Sequence, residues 1–310
     1  MLATALALAV AACGSSGGGN TSTGASTGAS TGAAAAKPGQ GKPAVTLGAK
    51  NFTEQFVLGQ LYKQALEAKG YTVKLKNNIG STEIIDKGLT SGKIDFYPEY
   101  VGVGLTAVAH DNKSYPSAQA AYDALKKFNE GRGFTLLDET PFTDVDAIAV
   151  KPDYAKQHNL KSVGDLKGAG AFKIGAPPEF KTRFTGLVGM KKVYGIDNAT
   201  LVPLTIGLQY KALDQGKVQS ADVFTTDGQL QSGKYTVLSD PKNIFGFEQV
   251  APIVNKNTLT KEGPAFGQTI NALSAKLTTK AMQQMNGAVD LDKQSPADVA
   301  KQFLQANGLA

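Results

Sequence analysis

The sequence contains no tryptophan, one cysteine and two histidines among its 310 residues. A single cysteine excludes a disulfide within the chain, and His110 and His158 with that cysteine are too few to assemble a Cys/His zinc site. A catalytic mechanism based on histidine has few candidates, and we expect neither a metal site nor a cofactor. Any aromatic binding site must be built from the 10 tyrosines and 14 phenylalanines.

Basic residues are only slightly in excess of acidic residues. The 32 lysines and arginines outnumber the 26 acids and give a net charge of +6, and two of them, Lys37 and Lys42, stand in a segment without acids. The rest of the excess is too diffuse to predict a nucleic-acid partner. The length suggests about two domains, and a hydrophobic fraction of 42% is enough for buried cores.

The N-terminal residues are typical of an exported lipoprotein. Residues 2–10 are almost wholly apolar, and the small residues before Cys13 resemble a bacterial lipobox. We therefore predict a signal peptide over residues 1–12 and lipidation of Cys13. The apolar run is far shorter than the roughly 20 residues that a membrane span requires. An ordinary secretory signal with an incidental cysteine is the alternative.

Residues 13–43 are dominated by Gly, Ser, Thr and Ala. This composition cannot bury enough apolar area to offset the entropy of ordering, so we predict a disordered tether. A flexible coil of this length reaches about 30 Å. The tether would hold an extracytoplasmic body at the outer face of the cell membrane through the lipid anchor.

Beyond the tether, the hydrophobic pattern alternates between strand and helix. Residues 45–48 and 72–76 are strand-like, and between them Asn51 or Thr53 could cap a helix. This order predicts parallel βαβ units. A similar run of strand, glycine turn, helix and strand recurs over residues 201–224, which indicates either two lobes of like topology or the general likeness of βαβ units. Two facing lobes would place the carboxyl ends of their strands in one ligand cleft.

Three separated segments carry a family resemblance: GAKNFTEQFVLG at 48–59, YPEYVG at 97–102 and KKVYG at 191–195. Together they resemble the osmoprotectant-binding proteins of ABC importers, the receptors for glycine betaine, carnitine and choline. The resemblance implies an α/β, type II periplasmic-binding-protein fold. It also implies that the protein is a monomer and not an enzyme, and that its partners are a membrane permease and its ATPase.

The resemblance also implies how the chain is divided. Lobe I would comprise residues 44–147 and 252–310, and lobe II residues 148–251. The two segments that cross between the lobes would lie near 146–151 and 249–254.

Because a quaternary ammonium group has no N–H to donate, it must be held by cation–π contact and dispersion. By resemblance, Tyr100 matches a cage tyrosine and Phe224 lies near another aromatic position of the cage. Gln55 matches a polar ligand contact, and Asn51 and Thr53 stand beside it as further donors or acceptors.

The sequence departs from the family's tyrosine cage at two positions. Asp146 and Glu248 stand where tyrosines are expected, although a shift of one residue would place Phe247 at the second position. If these acids face the cleft, they favour a cation such as choline over zwitterionic glycine betaine. They could instead form hinge hydrogen bonds or an interlobe latch. Arg183 could receive a ligand carboxylate, or it could be a surface charge.

Functions of other classes are less well supported. Porphobilinogen deaminase has the same two-lobe plan but holds its cofactor on a cysteine in the body, whereas the cysteine here is Cys13. No Gly-x-Ser-x-Gly turn or dinucleotide fingerprint supports a hydrolase or dehydrogenase. The alternatives kept open are a lipoprotein for another cationic or thione-type metabolite and a sensor lipoprotein without a transport role.

Overall fold

Short apolar runs form strands that are divided between two five-stranded sheets. The computed structural model describes residues 36–310. The first sheet contains β1 (Val45–Gly48), β2 (Val73–Lys76), β3 (Phe96–Tyr100), β4 (Phe134–Leu136) and β10 (Val250–Asn255). The second sheet contains β5 (Asp146–Val150), β6 (Phe172–Ala176), β7 (Ala199–Pro203), β8 (Ser220–Phe224) and β9 (Thr236–Leu238).

The two sheets share one topology. In the first, with the order β2-β1-β3-β10-β4, β1 is parallel to β2 and β3, and β10 runs antiparallel between β3 and β4. In the second, with the order β7-β6-β8-β5-β9, β6 is parallel to β7 and β8, and β5 runs antiparallel between β8 and β9. The predicted α/β class and the two lobes of like topology are confirmed.

Helices cover the sheets and are concentrated in the first lobe. They are α1 (Thr53–Ala68), α2 (Thr82–Thr90), α3 (Val101–Val103), α4 (Ala118–Glu130), α5 (Pro152–Gln157), α6 (Gln209–Asp214), α7 (Lys256–Glu262), α8 (Pro264–Ser274), α9 (Thr279–Asp290) and α10 (Pro296–Ala306). The backbone of Phe52 precedes α1 without a side-chain cap hydrogen bond, so neither Asn51 nor Thr53 forms the predicted cap.

Apolar clusters lie on both faces of each sheet, as parallel strands require. Successive residues of a strand enter opposite clusters, because side chains alternate between the two faces. In β3, Phe96 packs on one side and Tyr97 on the other, and both side chains are fully buried. This packing on two sides fixes the strand ends at which the candidate site lies.

Two chain segments cross between the sheets, over residues 137–145 and 239–249. They are joined by a bridge between Thr143 and Gln249, and the Asp144 N–H donates to the Glu248 carbonyl at 3.0 Å. The predicted crossings at 146–151 and 249–254 therefore start several residues too late. Residues 146–147 belong to β5 of the second sheet and 250–251 to β10 of the first.

The structured body begins before residue 44. The Gly39 N–H donates to the Lys69 carbonyl at 2.9 Å, and Lys42 Nζ donates to the Lys261 carbonyl at 2.9 Å. The predicted tether is thus too long at its C-terminal end. The predicted signal peptide and Cys13 lie outside the described residues. Within residues 36–310, no helix combines the length and apolarity needed to cross a membrane.

Candidate ligand-binding site

A cavity between the two lobes lies beyond the carboxyl ends of the parallel strands. It encloses about 570 Å³ of space, part of it open to solvent. The first lobe contributes the segment after β1, the N-terminus of α2 and the end of β3; the second contributes the start of β5, the end of β8 and the segment after β6. The cavity is lined by Lys50, Asn51, Phe52, Ser81, Thr82, Tyr100, Val103, Asp144, Asp146, Pro177, Glu179, Phe180, Arg183, Thr185, Ile206, Asp222 and Phe224.

Three aromatic rings form one wall of this cavity. Phe52 stands in the middle, with ring centroids 6.0 Å from Tyr100 of its own lobe and 6.0 Å from Phe224 of the other lobe. The Phe52 and Phe224 rings are stacked at an interplanar angle of 7°. Tyr100 and Phe224 thus lie where the sequence predicted, and Phe52 is an additional ring in the same motif as Asn51.

A buried hydrogen-bond network holds the Tyr100 ring. The Tyr100 hydroxyl donates to Glu54 Oε1 at 2.9 Å, and Asn286 Nδ2 donates to Glu54 Oε2 at 2.9 Å. Asp144 accepts from Thr226 Oγ1 at 2.6 Å. Burial raises the pKa of Glu54, and burial and the Glu54 charge raise the pKa of Asp144. The two carboxyl groups therefore hold a proton more readily than exposed carboxyl groups do.

A buried ion pair lies beneath the same ring. Lys50 Nζ pairs with Glu99, and it lies 4.6 Å from the Tyr100 ring centroid. Glu99 also accepts from the Tyr100 N–H at 2.7 Å and from the Tyr97 hydroxyl at 3.0 Å. Burial lowers the pKa of Lys50, against the opposing effect of Glu99. Lys50 was not predicted as a site residue from the sequence, although its position within the first family motif could have indicated it.

Two carboxyl groups of the second lobe face the cavity. Asp146 pairs in register with Phe224, and Asp222 is two residues before Phe224 on β8, so the three side chains share one face. Burial raises the pKa of Asp146 to about 6, and burial and the Asp146 charge raise the pKa of Asp222 well above its ordinary range. The two carboxyl groups share a hydrogen bond, and neither Asp222 oxygen accepts from an N–H or hydroxyl donor among the described residues. Asp222 is a second residue that sequence reasoning missed.

Arg183 joins the two lobes. Its Nε and one terminal nitrogen donate to the Glu83 carboxylate of α2 at 3.1 and 2.9 Å. Against the effect of burial, the hydrogen bonds and charge of Arg183 lower the pKa of Glu83 to about 2. Arg183 is 16% exposed. It lines the cavity with its guanidinium already paired to Glu83, and this ion pair joins the lobes in the way that an interlobe latch, one of the alternatives given for Asp146 and Glu248, would do.

We expect Glu83→Gln to speed ligand dissociation about fivefold, because a half-exposed ion pair contributes on the order of 1 kcal/mol and this one spans the two lobes. Stopped-flow displacement of bound ligand measures that rate. Asp86→Asn is the matched control, since Asp86 lies on the same helix and pairs with Arg132 within the first lobe at 2.7 Å. Equal dissociation rates in the two variants would contradict a latch function.

Four predicted ligand contacts lie away from this cavity. Gln55 Nε2 donates to the Pro98 carbonyl at 3.1 Å, and Thr53 Oγ1 donates to Asp290 at 2.6 Å, so both side chains are occupied by protein atoms. Glu248 accepts from the Val103 N–H at 3.1 Å, which agrees with the hinge alternative. Phe247 lines a separate cavity with Tyr115, Phe184 and Lys242.

Buried Asp227 makes the stability depend on pH. The Tyr210 hydroxyl donates to it at 2.6 Å and the Phe224 N–H at 3.0 Å. Burial nevertheless raises its pKa to about 7, with Asp290 and Glu54 adding to the effect. Because this pKa lies above the unfolded value near 4, the folded protein is favoured at low pH and loses stability as the pH rises from about 4 to 7.

We therefore expect the unliganded protein to melt at a lower temperature at pH 7.5 than at pH 5. Asp227→Asn removes the titrating group while keeping an acceptor. The loss of unfolding free energy as the pH rises should therefore be smaller by about 2–4 kcal/mol in this variant. Asp153→Asn, on an exposed helix start, is the control. A melting profile in Asp227→Asn as steep as in the parent chain would contradict the assignment.

Comparison with known proteins places this geometry in a family context. Residues 43–306 match the family described as the substrate binding domain of ABC-type glycine betaine transport system. The chain is 31% identical over 275 residues to a glycine-betaine-binding protein from Pseudomonas aeruginosa, covering 85% of this chain and 88% of that protein.

Two further similarities concern ligand class and fold. An ergothioneine transport permease/ergothioneine binding protein from Helicobacter pylori is 30% identical over 272 residues, covering 86% of this chain and 48% of that longer protein. A crystal structure of a glycine betaine/carnitine/choline ABC transporter matches with a TM-score of 0.69 and 28% identity, covering 86% of this chain and 99% of that one.

Proposed function

Because the chain belongs to the family of substrate-binding domains of ABC-type glycine betaine transport systems, we propose that it captures a small quaternary ammonium cation and delivers it to an ABC permease and its ATPase. The ligand would contact both lobes as a monomeric receptor closes on it. Contact with both lobes is necessary, because a ligand shifts a conformational equilibrium only through its difference in affinity for the two states.

The aromatic wall next to uncompensated carboxyl groups is the observation that carries this proposal. Each cation in the cavity wall already has its own acid, Lys50 with Glu99 and Arg183 with Glu83. Asp146 and Asp222 have no ion pair of their own within the described residues, and the cation whose charge acts on both, Arg183, is already paired with Glu83. A cation whose alkyl groups pack on Phe52, Tyr100 and Phe224 would supply a positive charge there.

The same charges favour choline over glycine betaine. At neutral pH the carboxylate of glycine betaine would approach the Asp146 carboxylate in a partly desolvated space, where like charges cost several kcal/mol, and the Asp222 carboxyl group beside it supplies no positive charge to offset that cost. Arg183 does not offset this cost, because Glu83 already occupies its guanidinium. We therefore expect choline to bind at least tenfold more tightly than glycine betaine.

Isothermal titration of the full chain with choline, glycine betaine and carnitine tests this expectation. The control is 3,3-dimethylbutan-1-ol, which has the shape of choline without its charge. Choline should bind and the neutral isostere should not. Glycine betaine binding more tightly than choline would show that the two acids do not govern selectivity, and binding of the neutral isostere as strong as that of choline would refute the cation site.

A thione-type ligand is the second candidate. The relative from Helicobacter pylori is named for ergothioneine, a zwitterion that combines a trimethylammonium group and a carboxylate with an imidazole-derived ring bearing N–H donors. The vacant acceptor oxygens of Asp222 suit such donors. Ergothioneine belongs in the same titration, and tighter binding of ergothioneine than of choline would favour this candidate.

We also propose that residues 1–12 are a signal peptide and that Cys13 is lipidated, which would hold the protein at the outer face of the membrane. The proposal is supported by the lipobox-like residues before Cys13 and the Gly/Ser/Thr-rich segment that follows it. Cys13→Ser should release the protein from the membrane fraction of expressing cells and abolish incorporation of a labelled fatty acid. Fatty-acid labelling that persists in this variant would contradict the proposal.

A further inference from the structure

Asp222 is an exception among the buried acids around the cavity. Glu99 accepts from Lys50, Tyr97 and the Tyr100 N–H, and Glu54 accepts from Tyr100 and Asn286. Asp222 is 1% exposed; in the described part of the chain its side chain hydrogen bonds with the neighbouring acid Asp146, and neither of its oxygens accepts from an N–H or hydroxyl donor. A buried acceptor without a partner costs about 1–3 kcal/mol, so its presence in the cavity wall points to a missing donor.

Two other buried acids with an oxygen that has no partner among the described residues, Glu248 and Glu262, do not line the cavity. Glu248 Oε1 has no partner, but Glu248 Oε2 accepts from the Val103 N–H and the side chain is absent from the cavity wall. A Cβ atom on Gly102 would lie 2.4 Å from Glu248 Oε1, so protein backbone crowds this oxygen. Asp222 is thus the acid that lines the interlobe cavity and also has oxygens that accept from no N–H or hydroxyl donor among the described residues.

The strand register places this acceptor at a short distance from the aromatic wall. Asp222 and Phe224 are separated by two positions on β8, which corresponds to about 7 Å along a strand. Asp146 is paired with Phe224, so Asp146 and Asp222 are diagonal neighbours on one face, within mutual reach. If the alkylated ammonium group of a ligand contacts Phe224, a donor that is a few bonds away in the same ligand would reach Asp222.

We propose that Asp222, with Asp146 beside it, is an acceptor subsite that selects cations carrying an O–H or N–H donor close to the alkylated ammonium group. This inference rests on the proposed function, in which the aromatic rings bind the alkylated ammonium group. It adds that the ligand must also carry a donor that the two acids can accept. Fully alkylated cations without a donor would leave the two Asp222 oxygens vacant and would bind more weakly.

Choline and its methyl ether are the matched probes, because they differ in one hydroxyl donor and share the trimethylammonium group. Titration calorimetry of the full chain should give choline an affinity at least tenfold higher than that of the ether, in line with a hydrogen bond to a charged group. In Asp222→Asn, which keeps the shape but replaces one oxygen by an NH₂ group that can only donate, the ratio should fall below threefold. Tetramethylammonium should change little between the two proteins.

Asp214→Asn is the control for loss of an acid of the second lobe, since Asp214 lies on α6 outside the cavity wall and pairs with Lys151 at 2.9 Å. It should retain the tenfold ratio between choline and its ether. Asp222→Asn should melt at the same temperature as the parent chain or higher, because it removes a buried acid that lies beside another acid. A shift in selectivity can therefore be separated from unfolding.

Agmatine, which carries N–H donors and no methyl groups, separates this inference from the proposed function. Equal binding of choline and its ether, or an unchanged ratio in Asp222→Asn, would overturn the subsite while leaving the quaternary-ammonium function in place. Binding of agmatine that depends on Asp222, without binding of any quaternary compound, would overturn the function and support the subsite. Failure of every probe to bind would overturn both.

Discussion

Phe52→Ala is expected to weaken choline binding about 30-fold. Phe52 is the middle ring of the aromatic wall and contacts Tyr100 within the first lobe and Phe224 across the cavity. Its loss removes one cation–π face, worth about 0.5–2 kcal/mol, and a ring stacking between the lobes, worth about 0.5–1.5 kcal/mol. The stacking requires the lobes to be closed and the cation–π contact requires the ligand, so both favour the closed, liganded state and we expect them to add.

Titration of the variant with choline measures this effect, and Phe56→Ala is the matched control. Phe56 lies one turn along α1, is partly exposed and lines a surface depression with Asn77 and Pro296, away from the interlobe cavity. The control should bind choline as the parent chain does. An affinity of Phe52→Ala within threefold of the parent would show that the ring does not contact the ligand.

Glu99→Gln is expected to lower the free energy of unfolding by about 3–5 kcal/mol. Glu99 is fully buried and pairs with Lys50, which is 3% exposed. Removing one member of a buried ion pair leaves the other charge without compensation in a medium of low polarity. The variant also weakens the hydrogen bonds that Glu99 accepts from Tyr97 and the Tyr100 N–H, so the aromatic wall should loosen with it.

Urea unfolding measures this loss, and a double variant isolates its cause. Lys50→Met combined with Glu99→Gln removes both charges, so it should recover a large part of the stability that Glu99→Gln loses. Glu67→Gln is the control, because Glu67 pairs with Lys63 on the surface at 39% and 28% exposure. If Glu99→Gln lowers the free energy of unfolding no more than Glu67→Gln does, the buried pair is not required for stability.

The lobes and several site residues were predictable because they follow from local sequence. Tyr100 and Phe224 lie at the ends of β3 and β8, and Asn51 follows β1; the family resemblance pointed to all three, and they line the cavity, while their contact with ligand stays a prediction. The crossing segments were displaced by several residues, because alternating apolar residues do not mark where the chain leaves one sheet for the next. Asp146 was assigned to a crossing for this reason, although it opens β5.

Residues whose role depends on distant partners could not be predicted. The sequence contains no sign that Arg183 meets Glu83, which is 100 positions away and in the other lobe. The role of Asp222 depends on the lack of a donor, which is defined only once its three-dimensional neighbours are known. Gln55 was predicted to contact ligand, but the fold directs it to the Pro98 carbonyl.

The helical segment beside the cavity in the second lobe is irregular. The chain there forms two π-helical turns, Phe184–Val188 and Met190–Tyr194. Gly186 has an extended backbone there, and a Cβ atom on it would lie 2.2 Å from the Phe180 carbonyl oxygen. This close approach holds Arg183 beside the cavity, where it reaches the first lobe.

A crystal structure of the protein with choline tests the central claim most directly, namely that a cation is bound between the lobes by aromatic rings and acids together. The prediction is that the trimethylammonium group lies within about 6 Å of the ring centroids of Phe52, Tyr100 and Phe224, with the hydroxyl group hydrogen bonded to Asp222. Choline bound outside the interlobe cavity, or in contact with one lobe alone, would contradict the claim.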